Sequence, residues 1–281
     1  DQMRPIETFE EFERQAEFFV DTASEYRADF LLFPELLTNQ LLGLLPPDRP
    51  GASARMLDRF TGPYIDFFSR MAIRYNVNIV AGTHLTLQDD VLYNIAYLFR
   101  RDGSIEKQYK IHITPGEQRW WGVAPGNEVK VFDTDRGKIA IAICYDIEFP
   151  EYARRAKQLG ARILFVPYNT DLRSSHMRVR TCAQARCIEN HIYVVSSGMC
   201  GNLPIVAGAD VHWAQSAILT PSDIPFERDG VAVEATPNVE ALLVHELDVE
   251  LLRRTERTGT VRPWFDRRTD LYDVTWKDIP K

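Results

Sequence analysis

The sequence predicts an α/β fold in which βα units alternate with antiparallel hairpins. Three observations carry that reading. Short, wholly apolar runs end in polar residues, as strands buried on both faces do. Segments with apolar residues at helical spacing stand between them. Two strand pairs close on turn-forming tripeptides, Arg101-Asp102-Gly103 and Asp135-Arg136-Gly137. The order is helix, strand, helix, hairpins, then helix–strand–helix–strand, which is not a pure βαβ array. No repeat, low-complexity tract or linker interrupts it, so residues 1–281 read as a single domain.

Each element follows from its own residues. Thr8, with Glu11 three residues on, opens a helix by the capping-box pattern, and Phe9, Phe12, Ala16, Phe19, Val20 and Ala23 form its buried face. "DFLLFPE" is a buried strand that ends at Glu35. A second helical stretch runs from about Ala52 to Tyr75, with a break expected at Gly62-Pro63. "VNIVAGTHL", "LYNIAYLFR" and "IEKQYKIHI" are strands, and "TPGEQRWWGVAPG" is a loop because its glycines and prolines forbid long regular structure. "VKVFDTDRGKIAIAICYD" is a hairpin, "FPEYARRAKQLG" a short helix and "ARILFVPYN" a buried strand. "HMRVRTCAQARCIEN" is helical; "HIYVVSSG", "AQSAILTPSD" and "ALLVHELD" are strands; "DVELLRRTERTG" begins a helix followed by an extended tail.

Composition narrows the function. Hydrophobic residues at 45% and charged residues at 26% are those of an ordinary globular protein, and the net charge of -7 argues against a nucleic-acid surface. The four cysteines form no C-x-x-C pair and the six histidines no metal-ligand spacing, so a metal site is not expected. No signal peptide or membrane-length apolar run is visible, and the expected location is the cytoplasm.

Three polar residues stand at the ends of apolar strands: Glu35, Lys110 and Cys144. Strand ends are where binding and catalytic groups collect in α/β folds. A carboxylate within reach can take the proton of a thiol, and a lysine beside them can stabilise an oxyanion. The same three residues also fit core packing for the thiol and solvated strand ends for the charges, and spacing alone does not show that they meet. Trp120 and Trp121 either wall a pocket or pack on the core. His176, Arg178 and Arg180 either meet an acidic substrate group or are solvated, and Cys182, Cys187 and Cys200 read as packing.

"LLFPE", "YKIHITPGE", "ICYDIEFPEYARR", "GARILFVPYN" and "AQARCIENHIYVVSSG", in that order between about Thr8 and Leu252, resemble the nitrilase (carbon–nitrogen hydrolase) superfamily. The resemblance implies a four-layer αββα sandwich with a Glu–Lys–Cys catalytic set. On these positions Cys144 is the nucleophile, Glu35 the general base and Lys110 the electrostatic stabiliser, with Glu117 as the second glutamate of the family. It further implies substrate contacts from Tyr145, Tyr168 and Asn169, to which the loop position adds Trp121, no metal or organic cofactor, and a small-molecule amide as substrate. The expected reaction cleaves the C–N bond of a small linear amide through a cysteine thioester, releasing ammonia and a carboxylic acid. Nitrile and N-carbamoyl hydrolysis are alternatives on the same fold. A non-catalytic interaction domain of a longer protein, or a redox-sensing thiol, are readings of another class.

Two departures from the family pattern stand out. Members begin with a strand that leads into the first helix, whereas here the chain starts at "DQMRPIETF", so that strand is expected upstream. Secondly, "YKIHITPGEQRWWG", "CAQARCIEN" and "AQSAILTPSD" are most similar to a branch in which this domain follows a GNAT-type acyltransferase domain. A homodimer or larger oligomer is expected through "FPEYARRAKQLG" and the tail from about residue 253, whose Trp264, Phe265 and Tyr272 would otherwise lie exposed.

Overall fold

The computed structural model describes residues 2–46, 48–204, 206 and 209–277. In chain order the elements are β1 (Gln2–Met3), α1 (Phe9–Glu25), β2 (Phe30–Leu32), α2 (Pro50–Met56), α3 (Thr61–Tyr75), β3 (Asn78–Gln88), β4 (Val91–Phe99), β5 (Ile105–Tyr109), β6 (Val123–Ala124), β7 (Val131–Thr134), β8 (Gly137–Ile141), α4 (Pro150–Gln158), β9 (Ile163–Tyr168), α5 (Arg173–Asn190), β10 (Tyr193–Gly198), β11 (Cys200–Gly201), β12 (Ala217–Leu219), β13 (Val231–Glu234) and α6 (Val249–Thr258).

Two sheets carry the fold. One has the order β2-β3-β4-β5, with β6 added to β4; the other has the order β13-β12-β10-β9-β8-β7. The strand period of two decides what faces what. From β3 and β4, Ile79, Ala81, Ile95, Tyr97 and Phe99 join Phe12, Ala16, Phe67 and Phe68 of α1 and α3 in one buried cluster. The alternate residues Val80, Ala96 and Leu98 join Ile139, Ile141 and Leu164 of the other sheet, a cluster that also takes in Tyr152 and Ala153 of α4 and Val179 and Ala183 of α5. The ring of Phe30 on β2 lies 5.3 Å from that of Phe165 on β9, sheet against sheet. Helices, sheet, sheet and helices make the four-layer αββα sandwich. Strands covered on both faces explain why these runs are apolar throughout.

Local chemistry sets the boundaries, and in four places it differs from the sequence expectation. Thr8 Oγ1 accepts the Glu11 N–H at 3.3 Å, while Glu11 reaches back to the N–H of Glu7 rather than to that of Thr8. The helical stretch 52–75 breaks at a 3₁₀ turn, Leu57–Phe60, and not at Gly62-Pro63, which lies in the first turn of α3 where a missing proline N–H costs nothing. "ALLVHELD" forms no ladder; residues 241–247 instead line, together with Phe30–Phe33, a groove of about 530 Å³. The strand beside β12 is β13, which the sequence reading missed. Before α1, Gln2 and Met3 pair in parallel with Cys200 and Gly201.

Candidate active site

Three strand ends converge on one cavity. After β2 the chain turns so tightly against β3 that a Cβ on Gly82 (φ +65°) would sit 1.9 Å from the carbonyl oxygen of Pro34, so glycine is required there. The next turn is pinned by the Leu36 N–H donating to Thr83 Oγ1 at 2.8 Å, and Glu35 is held between these two anchors. Lys110 extends β5 by one residue: its N–H donates to the Asn94 carbonyl at 2.9 Å, and its own carbonyl accepts from Gly126 at 2.7 Å.

Beyond β8 the ladder runs one bond further, Ala142 N–H to the Phe165 carbonyl at 2.9 Å, and then the backbone bends sharply. Cys144 has φ +46°, the left-handed region that a non-glycine residue enters at a cost of about 1–3 kcal/mol. It opens a 3₁₀ turn, Cys144–Glu148, and buried Asp146 holds the bend. The Asp146 carboxylate accepts from Ile143 N at 3.1 Å and His112 N at 2.8 Å, and lies 2.8 Å from His112 Nδ1. Asp146 therefore fastens the thiol's bend to the segment just after Lys110.

The charged groups meet at hydrogen-bond distance. Lys110 Nζ lies 2.8 Å from Glu35 Oε1 and 2.6 Å from Glu117 Oε2. Glu117 Oε2 also accepts from the Thr114 N–H at 3.0 Å and hydroxyl at 2.8 Å. Asn94 Nδ2 donates to Glu35 Oε1 and to Glu117 Oε1, at 3.0 Å each. The Asn169 backbone joins the thiol to this group: its N–H donates to Glu35 Oε2 at 2.9 Å, and its carbonyl lies 3.6 Å from Cys144 Sγ. Glu35 and Lys110 are each 2% exposed, Cys144 6% and Glu117 8%.

Burial and charge divide the labour among these groups. Burial is the largest influence on Glu35; Lys110 opposes it and the charge of Glu117 reinforces it, and the carboxyl is held above its ordinary value. Burial acts on Glu117 too, but Lys110, Asn94 and Thr114 outweigh it and hold that carboxyl low. Burial works against the charge on Lys110, yet Glu117 and Glu35 overcome it and the ammonium is held well above its usual range. Burial and Glu35 push the Cys144 thiol well up, against a smaller pull from Lys110. At neutral pH the site therefore holds a thiol, an ammonium and an ionised Glu117. Glu35 is the group best suited to carry a proton on and off.

The cavity has a volume of about 810 Å³, and Glu35, Lys110, Glu117 and Cys144 all face it. Trp120, Trp121, Tyr145 and Asn169 line it as well, Asn169 offering its backbone to the charged groups. Tyr168 does not: its hydroxyl accepts from Gln215 N at 3.0 Å, and its ring occupies the space that a side chain on Gly198 would fill. Arg178 lines the cavity 3.4 Å from Glu148, whereas Arg180 pairs with Glu234 and His176 packs against Tyr168 and Trp213. The sequence reading singled out neither Asn94, Thr114, Asp146 nor Gly82. Only glycine at the third position of "VAGT" and a polar residue inside the apolar run "LYNIAYLF" could have drawn attention to two of them.

Residues 2–257 match the family model described as carbon-nitrogen hydrolase. The chain belongs to the carbon–nitrogen hydrolase family. Among curated relatives of this hydrolase, Probable hydrolase YhcX of Bacillus subtilis is 51% identical over 276 residues, 98% of this chain and 54% of the relative. The chain thus spans about half the length of that relative. The 2-oxoglutaramate amidase of the same organism is 32% identical over 196 residues, 68% of this chain and 71% of the amidase. Among solved structures, the carbon-nitrogen hydrolase of Helicobacter pylori superposes with a TM-score of 0.78 at 20% identity, covering 96% of this chain and 94% of that one. This last likeness speaks to the fold alone.

Proposed function

We infer that the chain is a thiol amidase, cleaving the C–N bond of a small linear amide. The observation that carries the reading is one contact set: a buried thiol held by the Asn169 backbone beside Glu35, which is ion-paired to Lys110 at 2.8 Å. Glu35 takes the thiol proton as Cys144 Sγ bonds to the amide carbon. The carbonyl oxygen, now an anion, sits against Lys110 Nζ and the backbone N–H of Tyr145, where loss of one donor typically costs about 3–4 kcal/mol. Glu35 returns its proton to the nitrogen, the C–N bond breaks and ammonia leaves. Water, deprotonated by the same carboxylate, then opens the thioester to the acid and restores the thiol. Glu35 acts as base, acid and base, which its raised carboxyl suits. Glu117 stays ionised and holds Lys110 in place.

The amidase names of relatives at 32% identity and below support amides over nitriles and carbamoyl compounds. We further place the chain as the hydrolase part of a longer cytoplasmic protein that assembles as a homo-oligomer. The half-length match to YhcX supports the first point. Exposed Phe265 and Tyr272 support the last, and no described helix is long and apolar enough to cross a membrane. The test is ammonia release from a panel of small amides, with Cys144→Ala as the blank. Release by the wild type and a fall of at least about 10⁴-fold in the variant are expected. Equal release by both would overturn the reading.

A further inference from the structure

Asn94 is fully buried in the middle of β4, and its side chain makes an unequal use of its polar atoms. Both carboxamide N–H bonds are spent on carboxylates, Glu35 Oε1 and Glu117 Oε1, at 3.0 Å each. The carbonyl oxygen Oδ1 is buried without a hydrogen-bond partner among the described residues. Turning the amide over would aim that oxygen at two carboxylates, so the neighbours fix its orientation. The same residue accepts the Lys110 backbone N–H at 2.9 Å. One side chain and its carbonyl thus locate all three charged groups of the site.

The bonds also distinguish the two oxygens of Glu35. Oε1 accepts Lys110 Nζ and Asn94 Nδ2, which fills its lone pairs. Oε2 accepts the Asn169 N–H and keeps one lone pair, and the carbonyl of the same Asn169 holds Cys144 Sγ.

We propose that Asn94 is a positioning residue that directs the proton of Cys144 to Oε2 of Glu35, and keeps the two carboxylates apart on either side of Lys110. In the step it serves, the Sγ–H bond breaks as the Oε2–H bond forms, the sulfur pair bonds to the amide carbon, and the C=O π pair moves onto the carbonyl oxygen. This rests on the thiol-amidase reading. An uncharged double donor is what the place requires. An acid there would add a third negative charge, and an apolar side chain would leave Oε1 half-satisfied and free to compete for the proton.

The test reads the thiol directly and needs no substrate. The rate of Cys144 alkylation by iodoacetamide is followed from pH 5 to 9 by mass spectrometry, with Cys144→Ala to subtract the other thiols. In the wild type the rate should rise through an acidic limb set by Glu35. Loss of a donor to an ionised carboxylate favours its protonated form. In Asn94→Leu the limb should therefore move up by about one pH unit, roughly tenfold slower alkylation at a fixed pH on the limb. Asn94→Asp should move it further in the same direction, because a third carboxylate repels ionisation of Glu35. A folded Asn94→Leu with the limb unmoved overturns the proposal and leaves the amidase reading standing. A wild type with no limb at all overturns both. Should Asn94→Leu not fold, Asn94→Ser is read against the same limb and the same criterion.

Discussion

Among the described residues two lysines are buried beside glutamates, and they are opposites. Lys110 lies between Glu35 and Glu117, faces the cavity and is held charged well above its usual range. Lys157, near the end of α4, shares the single carboxylate of Glu256 on α6 with Arg162, and the ring of Trp264 covers it at 5.3 Å. Burial is the largest influence there, and the lysine is pulled down to about 8. A buried ion pair is thus not in itself a sign of chemistry. At Lys110 two carboxylates overcome desolvation of one cation, a strained thiol sits beside them, and a cavity admits a substrate. At Lys157 one carboxylate is divided between two cations, and an aromatic residue of the tail closes the place off. The second cluster fastens α4 and α6 together and docks the tail.

The largest test of that contrast removes each cation. Lys110→Met leaves Glu35 and Glu117 buried with no counter-charge, and should lower stability by about 3–5 kcal/mol in urea unfolding and abolish ammonia release. Lys157→Met leaves Glu256 still bonded to Arg162 at 2.9 and 3.0 Å. It should cost under about half as much and leave turnover within a few-fold of wild type. If the two variants lose equal stability, the distinction between a doubly and a singly held lysine fails.

The two lysines should also give opposite pH dependences. Burial pulls Lys157 down to about 8 in the folded chain, from its ordinary 10.5 when unfolded. Between those values the unfolded state binds more protons, so this group makes stability rise with pH across the window, by up to roughly 3 kcal/mol. Lys110, with its folded value raised, contributes stability that is fully present below 10.5 and is lost only above it. Urea unfolding of wild type and Lys157→Met at pH 8 and pH 10 should therefore differ by an amount that grows with pH. A constant difference would mean that Lys157 stays charged in the fold.

Much of this was legible in the chain, and what was not has physical causes. Glu35, Lys110 and Cys144 were visible because each is a polar or reactive residue closing an apolar run, and a strand end is a fixed place in the fold. Asn94 was not, because its carboxylate partners are 59 and 23 residues away and nothing local reveals them. Tyr168 was misplaced because side chains alternate across a strand. It is the last residue of β9, in register with Gly198, whose bare backbone admits the ring, and the cavity lining starts at the next residue, Asn169. Residues 241–247 were misread because an apolar run describes a face to be buried, and a strand also needs its backbone paired in a ladder. Patterning marked strands covered on both faces in an α/β chain, and the four-layer arrangement was implied by the resemblance to the family.

The smallest effect expected comes from the edge of the charged group. Thr114→Val removes the hydroxyl that donates to Glu117 Oε2 at 2.8 Å and accepts the Glu117 N–H at 3.2 Å, and keeps the backbone donor at 3.0 Å. Lys110 still holds the same oxygen, so ammonia release should fall only a few-fold and stability at pH 7 by about 1–2 kcal/mol. The pH dependence identifies the cause. The Glu117 carboxyl is depressed in the fold, so its contribution is present above 4.5 and is lost as pH falls through the folded value. The stability gap between wild type and Thr114→Val should then close as pH drops below 4.5, where both proteins lose that contribution. If the gap keeps its size at low pH, the hydroxyl acts by packing alone, and the ionised state of Glu117 depends on Lys110 and Asn94 without it.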